Sequence, residues 1–100
     1  QRRLEGAGGG LRAPGESVIL SCRGSGFNFD YYDIWWYRQA PRGILEWVSV
    51  ISEDSTIVYF DQTMQNRTTV SRDNSQSEAY LSVHYLQPSD SARYFCAIHS

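Results

Sequence analysis

Two cysteines, Cys22 and Cys96, stand 74 positions apart in a chain of 100 residues. This spacing excludes a CxxC redox motif and any cysteine-rich zinc module. It permits one disulfide that would close most of the chain, and such a bridge contributes about 4 kcal/mol by the loop-entropy argument. Two free buried thiols in a cytosolic protein are the alternative. A small domain that relies on one long-range bridge indicates an oxidising compartment.

Composition and charge narrow the class of protein further. A chain of this length forms one domain, and 41% hydrophobic against 20% charged residues is typical of a globular one. The net charge is −2 and the basic residues, all arginine, are scattered, which argues against nucleic acid and anionic membranes as partners. No apolar run is long enough to span a membrane. No signal peptide opens the sequence, so we expect that any leader has been removed.

Short runs of alternating apolar and polar residues, separated by turn residues, follow one another along the chain. No window of about eleven residues keeps the spacing of an amphipathic helix, so no helix longer than a turn or two is expected. The alternation predicts strands over residues 17–22, 34–39, 45–51, 57–60, 68–71, 79–83 and 92–97, after a kinked edge segment within residues 6–15. Eight or more such strands predict an all-β antiparallel sandwich or barrel.

The framework residues carry a resemblance to a known family. Cys22, Trp36 and Cys96 have the Cys…Trp…Cys spacing of an immunoglobulin domain, and Tyr94 stands two residues before the second cysteine, where the tyrosine corner belongs. Beyond these positions the chain resembles the variable domain of an antibody heavy chain. The matching segments are residues 8–11, 14–15, 20–22, 25–29, 38–41, 45–49, 71–75 and 90–97.

The resemblance implies a V-type antiparallel β-sandwich in which a Cys22–Cys96 disulfide joins the two sheets and packs on the Trp36 indole. We expect one such domain over residues 1–100, secreted or extracellular. The family continues beyond the second cysteine through a third hypervariable loop into a final strand. We therefore expect this chain, which stops at Ser100, to be the V-segment portion of a longer one.

The sequence diverges from the usual family residues at many positions, which resembles prolonged somatic mutation under antigen selection. These positions are 6, 7, 12, 13, 23, 35, 37, 44, 68, 82, 84, 85 and 93. Thr68 stands out, because the family usually has an aromatic residue at this inward position. A buried aromatic-to-small change typically costs about 3–5 kcal/mol when the site cannot collapse.

One face of the predicted sheet resembles the surface on which a heavy chain packs against a light-chain variable domain. With Trp35 beside them, the candidate light-chain contacts are Tyr37, Gln39, Ile44, Leu45, Trp47 and Phe95. The resemblance implies a side-chain bond from Gln39 across that interface. Camelid single-domain relatives have polar or small residues at the positions matching Leu45 and Trp47, and this chain keeps both. Such a patch on a monomer would itself be an association site.

The first and second hypervariable loops are expected at one end of the sandwich, where they would contact antigen. The candidate antigen-binding residues are Asp30, Tyr31, Tyr32, Asp33, Trp35, Ser52, Glu53, Asp54, Thr56 and Val58. Aromatic side chains give large rigid contact areas, and the carboxylates suit a target patch with Arg, Lys or many amide and hydroxyl donors. Ordinary solvated loop charge is the alternative.

No pattern of a catalytic or metal site accompanies these carboxylates. A glycosidase needs two carboxylates held about 5–9 Å apart across a cleft, with the pKa of one raised by burial. His84 and His99 lack ligand spacing, and no motif supports a Ser-His-Asp arrangement. We expect a protein that is not an enzyme and that needs no metal or cofactor.

Two further features lie away from the loops. Asn66, Arg67 and Thr68 form an N-glycosylation sequon just before a predicted strand, so a glycan there would be surface decoration. Arg67 and Asp90 resemble the family's structural ion pair at the lower end of the domain, with Arg38 and Glu46 nearby.

The function that the resemblance implies is antigen binding by an antibody heavy-chain variable domain paired with a light chain. The divergence and the sequon resemble antibodies matured in chronic viral infection, which favours a protein or glycoprotein antigen such as a viral envelope glycoprotein. The alternative is the V-type domain of a cell-surface immune receptor or adhesion protein. The heavy-chain-type residues 45–47 and 71–75 argue against that alternative.

Overall fold

The computed structural model describes residues 1–99, and Ser100, the last residue of the expected domain, lies outside them. The described chain contains eight strands and four single-turn 3₁₀ helices. The strands are β1 (Arg3–Gly8), β2 (Val18–Ser25), β3 (Ile34–Gln39), β4 (Leu45–Ile51), β5 (Val58–Phe60), β6 (Thr68–Asp73), β7 (Glu78–Val83) and β8 (Arg93–Ala97). The 3₁₀ helices are Phe29–Tyr31, Gln65–Arg67, Asn74–Gln76 and Pro88–Asp90.

The strands form two four-stranded sheets that pack face to face. The first sheet has the order β1-β2-β7-β6 and the second the order β5-β4-β3-β8, and every neighbouring pair is antiparallel. In the first sheet Cys22 lies opposite Ala79, and in the second Trp36 lies opposite Cys96. The all-β antiparallel fold expected from the alternating pattern is confirmed, and of the two architectures that the pattern allowed, sandwich or barrel, it is the sandwich.

The core fills the space between the sheets because alternate residues of each strand point inward. Ile34 and Trp36 are buried on β3, and Ala79, Leu81 and Val83 are buried on β7. Cys22 and Cys96 form the expected disulfide with a Cα–Cα distance of 6.4 Å, and it links β2 of the first sheet to β8 of the second. Trp36 lies in the same buried core cluster as Cys22, and the partly buried Cys96 packs against that cluster.

The first strand begins earlier than its sequence suggested. β1 starts at Arg3 and ends at Gly8, whereas the edge segment was expected within residues 6–15. The glycines at 8, 9 and 10 have φ angles of 98°, 95° and 100°, a left-handed conformation that ends the extended strand. A Cβ atom on Gly8 would lie 2.6 Å from the carbonyl oxygen of Ile19, so the close approach of β1 to β2 also requires glycine there.

A network of charged groups closes the end of the domain where β6 and β8 begin, called here the lower end. Asp90 accepts hydrogen bonds from Arg67 and from Nη1 of Arg38, the latter at 3.1 Å, and Arg38 also pairs with Glu46. The Tyr94 hydroxyl donates to the backbone oxygen of Asp90 at 2.8 Å. The tyrosine corner and the ion pair expected from the sequence are both present.

Candidate binding site

The first hypervariable loop connects β2 to β3 and is anchored by aromatic side chains. Phe29 is buried, and Phe27 meets the Tyr32 ring edge-on with centroids 5.5 Å apart. Asp30 and Tyr31 lie on the 3₁₀ helix Phe29–Tyr31 and are exposed. Burial of Phe29 and partial burial of Phe27 thus present Asp30 and Tyr31 to solvent.

The second loop, residues 52–57, connects β4 to β5 and is folded around one carboxylate. Oδ1 of Asp54 accepts hydrogen bonds from the Thr56 hydroxyl at 2.6 Å, the Thr56 amide at 3.0 Å and the Ser52 hydroxyl at 2.9 Å. These bonds, those from Thr56 first, lower the pKa of Asp54 from 3.8 to about 2. The carboxylate is therefore ionised at neutral pH, and its turn is held by local hydrogen bonds.

Arg72 of β6 holds the two loops together from below. Its Nη2 donates to the backbone oxygen of Phe29 and its Nη1 to that of Ser52, each at 2.9 Å, and its guanidinium lies 4.7 Å from the centre of the Phe29 ring. Nε of Arg72 donates to Oδ1 of Asn74 at 2.7 Å, and Nδ2 of Asn74 donates to the backbone oxygen of Glu53 at 2.8 Å. Arg72 therefore supports the first loop at Phe29 and the second loop at Ser52.

The acidic side chains of both loops gather around this arginine. Burial lowers the pKa of Arg72, and the carboxylates of Asp33, Asp30, Glu53 and Asp54 oppose that effect in this order. Oδ1 of Asp33 also accepts a hydrogen bond from the Glu53 amide at 3.1 Å, which joins the loops directly. The result is a negatively charged end of the domain supported by one partly buried cation.

The structure brings most of the candidate antigen-binding residues to this end, which is called the tip below. The exposed members are Asp30, Tyr31, Asp33, Glu53, Asp54 and Thr56. Tyr32, Trp35 and Val58 are half-buried, and Val58 packs against the core. Ser52 is only 8% exposed, and its hydroxyl donates to Asp54 and accepts from the Ile57 amide. Ser52 therefore lies beneath the tip and holds the loop.

A second surface lies across β3, β4 and β8. Strand register places Tyr37 opposite Trp47 on one side and Phe95 on the other, and the Tyr37 and Phe95 rings stack with centroids 5.7 Å apart. Two residues further along β3, Gln39 lies opposite Leu45. Together with Ile44, which immediately precedes β4, these residues form what is called here the apolar face.

The apolar face exposes large apolar side chains. Ile44 is 80% and Leu45 52% exposed. Nε1 of Trp47 is buried and has no hydrogen-bond partner among residues 1–99. The Gln39 side chain donates to the backbone oxygen of Gly43 at 3.2 Å, which keeps it at the rim of the face.

Trp35 lies where this face approaches the tip. Its ring meets that of His99 with centroids 5.0 Å apart, and Nε2 of His99 lies within hydrogen-bond distance of the Tyr37 hydroxyl, at 2.9 Å. The contacts of the His99 ring with Trp35 and Tyr37 thus hold the segment after β8 against β3.

Sequence reasoning did not single out Arg72 and Asn74 as individual residues. Their segment, residues 71–75, was recognised only as a stretch that matched a family pattern. Local sequence gives no sign that Arg72 and Asn74 support the loops. Their partners there are backbone oxygens about twenty positions away, at Ser52 and Glu53, and about forty positions away, at Phe29.

Within residues 1–99 no group of three or more His, Cys, Asp or Glu side chains is arranged to hold a metal ion. Over the same residues, no helix has the length and apolar character needed to cross a membrane.

Two disulfide-linked sheets that present loops at one end define an immunoglobulin-type binding module. The sequence matches the family model of the immunoglobulin V-set domain over residues 11–100, and the chain belongs to this family. V-set domains are generally binding domains without enzymatic activity, and they are typically extracellular or secreted.

Proposed function

We propose that this chain is the variable domain of an antibody heavy chain, secreted and shaped by somatic mutation, which binds antigen together with a light-chain variable domain. The observation that carries the proposal is the presence of two separate surfaces on one small sandwich. The tip presents charged and aromatic side chains from two loops, and the apolar face exposes Ile44 and Leu45 beside a row of aromatic rings.

The tip supports recognition of a protein or glycoprotein. Tyr31 and Tyr32 offer rigid, amphipathic contact area at low entropic cost. The carboxylates of Asp30, Asp33 and Glu53 stand on the same end and give the surface a negative potential, which complements a target patch with Arg, Lys or many neutral donors. Viral envelope glycoproteins are the target class that we favour, because the framework divergence resembles that of antibodies matured in chronic viral infection.

The apolar face supports pairing with a light chain. Exposed apolar patches rimmed by polar groups mark protein–protein contacts, and the centres of such contacts are rich in aromatic side chains and poor in charge. Tyr37, Trp47 and Phe95 form the aromatic centre, and Gln39 lies at the polar rim.

Native mass spectrometry tests the proposal. The complete chain is co-expressed with antibody light chains and analysed without reduction. A 1:1 heterodimer with Cys22 and Cys96 bridged is the expected result. A chain that stays monomeric with every light chain contradicts the proposal, and it favours the V-type domain of an immune receptor or adhesion protein whose apolar face meets another partner.

A further inference from the structure

We propose that Asn66 carries an N-linked glycan and that the glycan is attached before the domain folds. The sequence Asn66-Arg67-Thr68 is the acceptor motif for this modification, which adds a bulky, solubilising group to a surface residue. The proposal concerns the lower end of the domain and is independent of antigen binding at the tip.

The position of Asn66 fits an attached oligosaccharide. Asn66 lies in the 3₁₀ helix Gln65–Arg67 and is exposed, with exposed Gln65 before it. No hydrogen bond joins its side chain to any of residues 1–99, so its amide is available without loss of a structural contact. The other two asparagines of the chain, Asn28 and Asn74, have Asp30 and Gln76 at the position where the motif requires a hydroxyl.

The hydroxyl of the motif is no longer accessible once the domain has folded. Thr68 is 6% exposed, and its hydroxyl donates to the backbone oxygen of Met64 at 2.7 Å. An enzyme that recognises both the asparagine amide and the threonine hydroxyl cannot reach the second group in this state. Recognition therefore requires the unfolded chain.

The order of synthesis provides time for this reaction. Thr68 pairs with Val83 on β7, and the His84 amide donates to the backbone oxygen of Arg67 at 2.7 Å. These partners are made after the motif during synthesis from the N-terminus. The motif thus stays unpaired until β7 has been synthesised.

The donor of the oligosaccharide in this reaction is a lipid-linked oligosaccharide pyrophosphate. The bond between Nδ2 of Asn66 and C1 of the first sugar forms, and the bond between C1 and the pyrophosphate oxygen breaks. The amide loses one proton to a base of the transferase, and the lipid pyrophosphate leaves. No atom is oxidised or reduced.

A glycan at this position lies away from the tip. Arg67, the next residue, is bonded to Asp90 at the lower end, whereas the tip is at the other end of β4 and β5. The segment connects β5 to β6, which are edge strands of their sheets. A bulky hydrophilic group beside two edges hinders edge-to-edge association.

Occupancy is tested on the complete chain secreted from cultured mammalian cells. Treatment with peptide-N-glycosidase in heavy-oxygen water converts a glycosylated asparagine into a labelled aspartate, which peptide mass spectrometry detects. We expect the label at residue 66 in most molecules, its loss in Asn66→Gln, and its retention in Thr68→Ser and in the control Asn74→Gln. An unlabelled Asn66 in the secreted wild-type chain overturns the proposal.

The timing is tested by pulse labelling with alkylation of free thiols. We expect chains in which Cys22 and Cys96 are still reduced to show the glycan-dependent mobility shift already, and Asn66→Gln to lack it. A shift confined to disulfide-bonded chains overturns the inference that attachment precedes folding.

Discussion

Arg67 and Asp90 form a two-point ion pair, with Nη1 to Oδ2 at 2.7 Å and Nη2 to Oδ1 at 2.9 Å. Arg67 immediately precedes β6 of the first sheet, and Asp90 lies in the turn that leads to β8 of the second. The pair therefore ties the two sheets together at the lower end. The Gln87 amide and Arg38 complete the hydrogen bonds to the same carboxylate.

Removal of this carboxylate should destabilise the domain strongly. Asp90→Ala leaves two partly buried arginines without their partner, and a broken buried pair typically costs about 3–5 kcal/mol. Chemical denaturation of the wild type and the variant measures the difference. Glu46→Ala is the matched control, because that carboxylate is half exposed and its pair with Arg38 is worth about 1 kcal/mol or less. Equal losses in the two variants would contradict this prediction.

The same carboxylate should make stability depend on pH in the acid range. Burial opposes the ionisation of Asp90, but the bonds from Arg67, Gln87 and Arg38 outweigh it and lower its pKa from 3.8 to about 2. A lowered pKa in the folded state gives stability that is present above pH 4 and is lost as the pH falls toward 2. The side chain is 3% exposed, so the contribution is about 2 kcal/mol with little solvent screening.

Denaturation at several pH values between 2 and 6 checks this contribution. The difference in unfolding free energy between the wild type and Asp90→Asn should shrink as the pH falls through this range. Asp54, whose pKa is also about 2, is present in both proteins, so the difference isolates Asp90. A difference that stays constant with pH is incompatible with the lowered pKa.

Arg72 should control the rigidity of both loops at the tip. Arg72→Ala removes its bonds to the backbone oxygens of Phe29 and Ser52, and hydrogen bonds from a charged donor are worth about 1.5–3 kcal/mol each. Hydrogen exchange should accelerate on the order of tenfold or more for amides in residues 29–33 and 52–57. Arg23→Ala, which removes an exposed arginine of β2, should leave exchange in these segments unchanged. Similar acceleration in both variants would argue against the supporting role.

The apolar face should lose its partner when a charge is introduced on it. Leu45→Arg buries an unpaired cation in the proposed light-chain contact and should weaken association by about tenfold or more. Titration of the complete chain with light chain, followed by native mass spectrometry, measures the change. Ile19→Arg is the control, since Ile19 is exposed on the other sheet. If both variants bind light chain as the wild type does, the apolar face is not the contact surface.

Several elements could be predicted from the sequence because they follow from local periodicity. The strands at residues 34–39 and 45–51 have the predicted bounds, and the inward positions of Ile34 and Trp36 follow from strict alternation. β1 was harder to predict, since its glycine-rich sequence alternates poorly and its pairing with β2 decides where it starts.

The candidate site was predictable only in outline. The structure places loop residues such as Asp30 and Glu53 at the tip, since both loops leave the same end of the strands. Ser52 looks like any other polar loop residue in sequence, yet it is buried and bonded within the loop. Whether any of these residues contacts antigen stays a prediction.

The sequence by itself determined the all-β class through its alternation, and the spacing of Cys22, Trp36 and Cys96 predicted the two-sheet sandwich, the disulfide and the buried tryptophan through the resemblance to an immunoglobulin domain. Only the tertiary structure decided which polar side chains face solvent and which hold the loops. The reason is physical. Arg72 acquires its role from backbone oxygens of Phe29 and Ser52, which distant strands bring within 3 Å and which no local pattern encodes.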